Sequence, residues 1–557
     1  MRWCLFLLLP ALLPAQSTPA ASVPTARLEG QVLSQAGDPL RKATVRLIPY
    51  GDSRQNAFTY SDTSDANGNF VLEAVSPGRY TLSAQRIGFL PQNYGARSAV
   101  NMGPGTILTL APGQAMKDLN FKLIPQGVIT GRVVDSDGDP VQSVQIHVMR
   151  MFRVRGQRRL SPTGAGGTDD QGDFRVANLF PGTYYVVADN VSSRMYGQFE
   201  TERSGRALSH QTNVTTYYPS GLDAASATPV EITPGSEVRG VEIQMRREAV
   251  YSIRGVVIDA ATGKPVAANL NARSKDNQEF GLGMGATITR EDGVFELPNL
   301  LPGAYLVAAA SNNGTQGTTM EEVTITDSDL TGLKLALTQG TALTGTIKVE
   351  GADPQAPKNL PRSGIMLQEA GGSNRSSSAQ PKEDGTFELP GVVPAKYLVY
   401  VFNFPDGMYV KSVRNGGQEV TRTALDLTSG VSGTLDILLS PHAAEVMGTV
   451  RNSDGEALPG VQVSLWPKEV QPNNMLGGVI LSTTDQNGDF RVAGLAPGDY
   501  FVAAWEELEP GLGEDIEFLS HFTAQAVAVT LEEGAHQSAQ PKLISREAAA
   551  AEAAKLP

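Results

Sequence analysis

Asp169–Ala188 reads DDQGDFRVANLFPGTYYVVA: a glycine turn, Phe174, a Pro-Gly turn, and Tyr184 ten residues after the phenylalanine. The same frame occurs in Asp65–Ala84 (DANGNFVLEAVSPGRYTLSA), Arg290–Ala309 (REDGVFELPNLLPGAYLVAA), Lys382–Val401 (KEDGTFELPGVVPAKYLVYV) and Asp485–Ala504 (DQNGDFRVAGLAPGDYFVAA). The resulting pairs are Phe70/Tyr80, Phe174/Tyr184, Phe295/Tyr305, Phe387/Tyr397 and Phe490/Tyr500. A period of roughly 100 residues is too long for a solenoid unit and fits one small domain. The chain is therefore expected to be an array of five similar domains.

Working outward, each frame sits among short alternating segments. Asn67-Gly68, Asp292-Gly293, Asp384-Gly385 and Asn487-Gly488 are two-residue hairpin signals, and Gln171-Gly172 is a weaker version. The Phe and the residue two later (Leu72, Val176, Leu297, Leu389, Val492) share one face of a strand, which should be the core. Upstream lies a strand centred on a glycine, as in Ile129-Thr130-Gly131-Arg132-Val133. A second alternating strand follows it, as in Val144-Ile146-Val148, and another alternating stretch closes each unit. About seven short strands per 100 residues, with turns every 8 to 12, predict an antiparallel β-sandwich. A buried Tyr needs a partner for its hydroxyl, so each Tyr is expected to tie its strand to the preceding turn, as a tyrosine corner does. The five Phe–Tyr pairs are thus read as packing residues.

The expected organisation is a signal segment at 1–16, sandwiches at 26–126, 127–248 (with long insertions), 249–339, 340–441 and 442–545, and a polar, Ala-rich stretch at 546–557 that reads either as a plain tail or as a frayed helix. Linkers such as Pro125-Gln126-Gly127 and Ser440-Pro441-His442 are short, and end-to-end stacking predicts a rod on the order of 150–200 Å. Trp505–Ala524 breaks the β pattern; Glu514–Phe522 predicts a short amphipathic helix with an acidic start, capping the array.

Composition narrows the function classes. The 58 glycines and 35 prolines among 557 residues favour strands and turns over helices, while 41% hydrophobic residues are ordinary for a globular chain. A net charge of −13 argues against nucleic-acid binding. Arg2, the apolar run Leu5–Leu13 and Pro14-Ala15-Gln16 read as an export signal, too short to span a bilayer. Cys4, the only cysteine, lies inside it, so the exported chain has no disulfide or cysteine metal site. No later apolar stretch reaches transmembrane length.

The pattern G-x-V-x-[DN]-x-x-G-x-P-[LV]-x-x-[VA]-x-V, followed by D-x-x-G-x-F-x-[LV]-x-x-[LV]-x-P-G-x-Y-x-[LV]-x-A, resembles the carboxypeptidase regulatory-like domain. The resemblance is clearest in repeats 1, 2 and 5, weaker in 3 and weakest in 4, where Pro354–Pro361 lengthens the first turn. It implies a prealbumin-like or carbohydrate-binding-like sandwich, an accessory rather than catalytic role, and a bacterial envelope setting. The related B-type repeats of Gram-positive adhesins carry Lys–Asn isopeptide bonds. That chemistry needs a buried first-strand lysine; four first strands lack one, and Lys348 lies after the strand glycine, beside Glu350.

Few residues carry chemistry. His442-Ala443-Ala444-Glu445 has the H-x-x-E spacing of a zinc pair but falls in a linker. Asp135–Asp139, Asp65–Asn69 and Asp485–Asp489 resemble starts of calcium loops, yet their twelfth positions are Ile146, Ser76 and Ala496, so hairpin geometry explains them. No cofactor or metal is expected. Two features of repeat 2 depart from the repeat. Arg150, Arg153, Arg155, Arg158 and Arg159 form a basic loop running into Gly164–Gly167, suited to an anionic glycan, a phosphate or an acidic neighbouring domain, or simply solvated. The insertion Val191–Ser220 holds Tyr196, Tyr217 and Tyr218, which either stack on sugar rings or pack the insertion onto its own sandwich.

The expectation is a non-catalytic protein, secreted to the periplasm or cell surface, that binds a polysaccharide or another envelope protein. The alternatives are a peptidase or glycosidase with an inter-domain site, or an accessory partner of an outer-membrane transport receptor.

Overall fold

The computed structural model describes residues 24–50, 58–97, 105–154, 157–189, 211–275, 285–289, 291–311, 319–338, 340–351, 360, 363–370, 375–405, 407–469 and 478–556. The expected signal segment, Arg155 and Tyr196 lie outside them. The described chain is all-β apart from short helical turns and two short helices near its end. Five hydrophobic cores form, each drawn from one repeat and each containing that repeat's Phe and Tyr.

Each core lies between two sheets. In domain 3 one sheet orders Val294–Leu300, Tyr251–Asp259 and Leu330–Leu337; the other orders Gly285–Ile288, Ala268–Ser274, Gly303–Ser311 and Thr319–Ile325. The pairing is mostly antiparallel with a recurrent departure: the first strand runs parallel to the strand that closes its domain, and in domain 5 Leu543–Ile544 also runs parallel to Gly498–Trp505. Period-2 alternation cannot signal this, because it reports which face is buried and not strand direction.

The first-strand glycine has a packing cause. Gly30, Gly131, Gly255, Gly345 and Gly448 stand directly opposite Phe70, Phe174, Phe295, Phe387 and Phe490. A Cβ at any of them would fall 1.7–2.4 Å from a backbone carbonyl oxygen of the returning segment. The ring and the closing segment together fill the space a side chain would need.

The Tyr hydroxyls all act alike. Each donates to the carbonyl four residues earlier: Tyr80 to Ser76 (2.9 Å), Tyr184 to Phe180 (2.7 Å), Tyr305 to Leu301 (2.8 Å), Tyr397 to Val393 (2.9 Å) and Tyr500 to Ala496 (2.9 Å). Removing one hydroxyl leaves that carbonyl short of a donor. Tyr500→Phe is expected to lower domain stability by about 1 kcal/mol, read as an earlier denaturant midpoint with unchanged slope.

A second recurrent tie escapes the sequence reading. The residue just before each frame is Ser64, Thr168, Thr289 or Thr484 in four repeats, and all four are buried. Each hydroxyl accepts from the backbone N–H that opens the second strand: Ala43 (2.8 Å), Val144 (2.9 Å), Ala268 (2.8 Å) and Val461 (2.8 Å). The signal was available as a recurring hydroxyl residue immediately upstream of the turn.

The array does not extend as a rod. Domain 5 returns to touch domains 1 and 2. The Gln486 side chain brackets the Thr109 backbone: Thr109 N donates to its Oε1 (2.9 Å) and its Nε2 donates to Thr109 O (2.8 Å). Thr109 Oγ1 donates to Asp485 Oδ2 (3.1 Å), and the Arg97 guanidinium donates twice to Pro459 O (3.2 and 3.1 Å). Gly460 packs so closely on Gly95 that a Cβ would lie 2.4 Å from its carbonyl oxygen. Short linkers limit how far neighbours separate; they do not set the angles between them, and those angles close the chain on itself.

The Tyr strand of domain 5, Gly498–Trp505, is buried on both faces. Tyr500, Val502 and Ala504 face the sandwich, whereas Ala503 and Trp505 face a second cluster with Phe518, Phe522, Ala549 and Leu556. Asp515 caps the helix Ile516–Ser520 by accepting from Glu517 N (3.0 Å) and Phe518 N (3.2 Å). The polar, Ala-rich tail forms the helix Arg546–Ala553, capped by Ser545 and docked through Ala549 and Leu556. Its alanines supply the small apolar face that the tryptophan pocket accepts.

Candidate functional site

The arginine-rich stretch is a β-hairpin, not a loop. Gln145–Val154 pairs along its whole length with Gln157–Gly167. Met149 and Leu160 are fully buried and anchor it, with Tyr217 and Val187, in a small cluster beside the main core. The glycines read as loop residues belong to the second strand, because Gly164 and Gly166 lie against the Val176 side chain, 2.9 and 3.1 Å from where a Cβ would sit. Arg153 stands opposite Arg158, and Phe152 opposite Arg159. Arg150 leans over the rings of Phe152 and Tyr184, its guanidinium carbon 6.0 Å from each centroid. Burial pushes the Tyr184 hydroxyl up, against the lowering influence of that guanidinium.

The tyrosine insertion separates from the arginines in role. Tyr217 is fully buried, and Tyr218 packs on the domain 2 core. Tyr217 has no exposed ring to offer a sugar, so the ligand-stacking role is corrected for it, whereas Tyr218 is half-buried against the domain 2 core.

The hairpin's outer end faces domain 5. Arg153 Nη2 reaches the Leu556 carbonyl (3.4 Å), and Gly511 lies against the Arg153 carbonyl oxygen, 2.3 Å from an ideal Cβ. Between them is a cleft of about 610 Å³. Arg150, Arg153 and Arg158 enter it from domain 2; Glu507, Glu509 and Arg546 enter from domain 5. Arg546 Nη1 holds Glu507 at 3.1 Å. The hairpin thus faces a neighbouring domain that places Glu507 and Glu509 in the opposite wall of the cleft. The sequence reading missed Arg546 and Tyr185, which also line the cleft, because only the closed array brings them to the hairpin.

A second cleft, of about 460 Å³, lies between domains 4 and 5 and is lined by Tyr400, Phe404, Tyr409, Lys411 and Arg422 among others. Its lysine is engaged by carboxylates beyond the lining. Lys411 Nζ holds Glu350 (2.6 Å) and Glu533 (3.3 Å), while Glu533 accepts from Ser440 Oγ (2.5 Å) and Tyr409 OH (3.1 Å). The Ser440 hydrogen bond is the chief reason the Glu533 carboxyl is held below its usual range.

The remaining candidates are used structurally. Glu445 is buried and ion-paired with Arg491 (2.5 Å), with His536 Nδ1 3.6 Å away, whereas His442 is exposed. The loop acids serve their turns: Asp65 Oδ1 accepts from Asn67 N and Asn69 N (both 2.8 Å), Asp135 Oδ1 from Asp137 N (2.9 Å) and Asp139 N (3.0 Å), and Asp485 Oδ1 from Asn487 N (2.8 Å) and Asp489 N (3.0 Å). Among the described residues, no group of three or more His, Cys, Asp or Glu is placed to hold a metal ion. No helix among them is long and apolar enough to cross a membrane.

Colossin-A of Dictyostelium discoideum is 23% identical over 491 residues, covering 79% of this chain. The chain spans 4% of that relative's length. Among solved structures, the Bacillus anthracis TIE protein is 12% identical, with 76% of each chain covered and a TM-score of 0.16. Two B repeat units of the collagen binding protein of Staphylococcus aureus are 12% identical, covering 75% of this chain and 99% of theirs, with a TM-score of 0.14. The minor pilin GBS52 of Streptococcus agalactiae is 14% identical, covering 40% of this chain and 97% of its own, with a TM-score of 0.23. The carboxypeptidase regulatory-like domain family matches residues 27–124 and 252–338, which are domains 1 and 3. The second of these matches falls on a repeat that keeps the motif less closely. This chain is a tandem array of β-domains, two stretches of which, residues 27–124 and 252–338, match the carboxypeptidase regulatory-like domain.

Proposed function

We propose that the chain is a non-catalytic, exported binding protein of the cell envelope, with a carbohydrate or another envelope protein as its ligand. The observation that supports this most is the closed array, which leaves open clefts at the seams of domain 5 while its best-placed acids are engaged structurally. Glu350 and Glu533 are held by Lys411, and Glu445 by Arg491. Clefts between domains are common ligand sites. The deciding experiment is a glycan array probed with the full chain, run beside a pull-down from envelope extract. Retention on one polysaccharide class or specific capture of one envelope protein is the expected result. Turnover of a peptide or glycoside substrate, with no stable binding, would replace this reading with the hydrolase alternative.

A further inference from the structure

We propose that the cleft between the arginine hairpin of domain 2 and the helical end of domain 5 is a composite site for an acidic polysaccharide, assembled only when the array is closed. This rests on the reading of the chain as a carbohydrate binder and names the ligand class and its place. Three observations carry it.

The first is charge. Four arginines line the cleft (Arg150, Arg153, Arg158 and Arg546) against two glutamates, Glu507 and Glu509. That local excess of positive charge stands in a chain whose net charge is −13. A guanidinium presents a planar fork that matches a carboxylate or sulfate bidentately, so the cleft favours a charged sugar over a neutral one. The second is shape. A volume of about 610 Å³ falls in the range of small-ligand clefts. Tyr185 is half-buried in its wall, where its ring can meet the apolar face of a pyranose. The third is assembly. The arginines come from two domains 300 or more residues apart in sequence, and the hairpin meets domain 5 directly at Leu556 and Gly511. Domain 5 is also anchored by the Gln486–Thr109 bracket on domain 1, which lines no part of the cleft. Gln486 is thus a positioning residue for this site.

The test titrates the full chain with oligogalacturonate, with dextran oligomers of equal length and with poly-L-glutamate, by calorimetry. Oligogalacturonate should bind and dextran should not, and binding should vanish in about 0.5 M salt. Arg158→Ala and Arg546→Ala should each weaken binding about tenfold, the loss of one charged hydrogen bond. Gln486→Ala should also weaken it, although no cleft charge changes, with circular dichroism confirming an intact fold. Arg158→Ala binding as tightly as the parent, or Gln486→Ala binding more tightly, overturns the composite site. Tighter binding of poly-L-glutamate would assign the cleft to an acidic protein segment instead. If dextran binds and the arginine variants leave that binding unchanged, this proposal fails while the broader carbohydrate reading stands. If no polysaccharide binds, both fail.

Discussion

Gly131→Ala will destabilise domain 2 by about 3 kcal/mol, the upper end of ordinary overpacking. The new methyl carbon would lie 1.9 Å from the Val241 carbonyl oxygen and 2.7 Å from the Phe174 ring. The ring can tilt, but the carbonyl belongs to a strand hydrogen-bonded in parallel to the mutated one, so relief requires the two strands to part. For a domain of about 100 residues such a loss lowers the unfolding temperature by roughly 12–20 °C. Calorimetry should show one transition moving down, and hydrogen exchange should place the loss in Gly127–Val134 and Glu237–Gln244. Gly167→Ala is the control: its nearest neighbour is the Val144 carbonyl oxygen at 3.7 Å, an ordinary contact, and the change should cost less than about 0.5 kcal/mol. Equal effects at the two sites would mean that close approach is not why the first-strand glycine recurs.

Trp505→Ala is expected to cost about 3–5 kcal/mol, the range for deleting a large buried ring. Trp505 has no exposed surface and packs tilted against Phe518 and edge-to-face against Phe522, at centroid distances of 5.5 and 5.0 Å. Its Nε1 donates to Ser464 Oγ (3.0 Å), which in turn donates to Gly513 O (3.0 Å), so the same side chain links the sheet to the cap. The damage should be local. The sandwich core of domain 5 lies on the other face of the strand and does not include the tryptophan. Amide exchange should therefore rise across Ile516–Ser520 and Arg546–Ala553 while Gln462–Pro467 stays protected. Exchange rising equally in both would show that cap and sandwich unfold as one unit.

The repeating half of this protein was legible because its causes are local. A turn pair, a Phe, a Pro-Gly turn and a Tyr at fixed spacing state which residues alternate inward, and the hydroxyl of a buried Tyr requires a nearby acceptor. Ser64, Thr168, Thr289 and Thr484 were equally legible as a recurring hydroxyl position, yet they lie one residue outside the frame that drew attention. The arginine stretch misled for a physical reason as well. Arginines and glycines together suggest a solvated loop, but Met149 and Leu160 bury inward and turn the segment into a hairpin. Tyr217 and Tyr218 followed the general tendency of long insertions to pack onto their own domain.

By itself, then, the sequence determined the all-β, tandem-sandwich character and the tyrosine tie within each repeat, since the tie rests on residues close along the chain. Tertiary structure alone decided that the array closes. A glutamine side chain bracketing Thr109, a carbonyl meeting Arg153 and a cation between two glutamates are single contacts between residues tens to hundreds of positions apart, and they leave no period to read. Closure turns the arginine hairpin of domain 2 and the helical end of domain 5 into the two walls of one cleft.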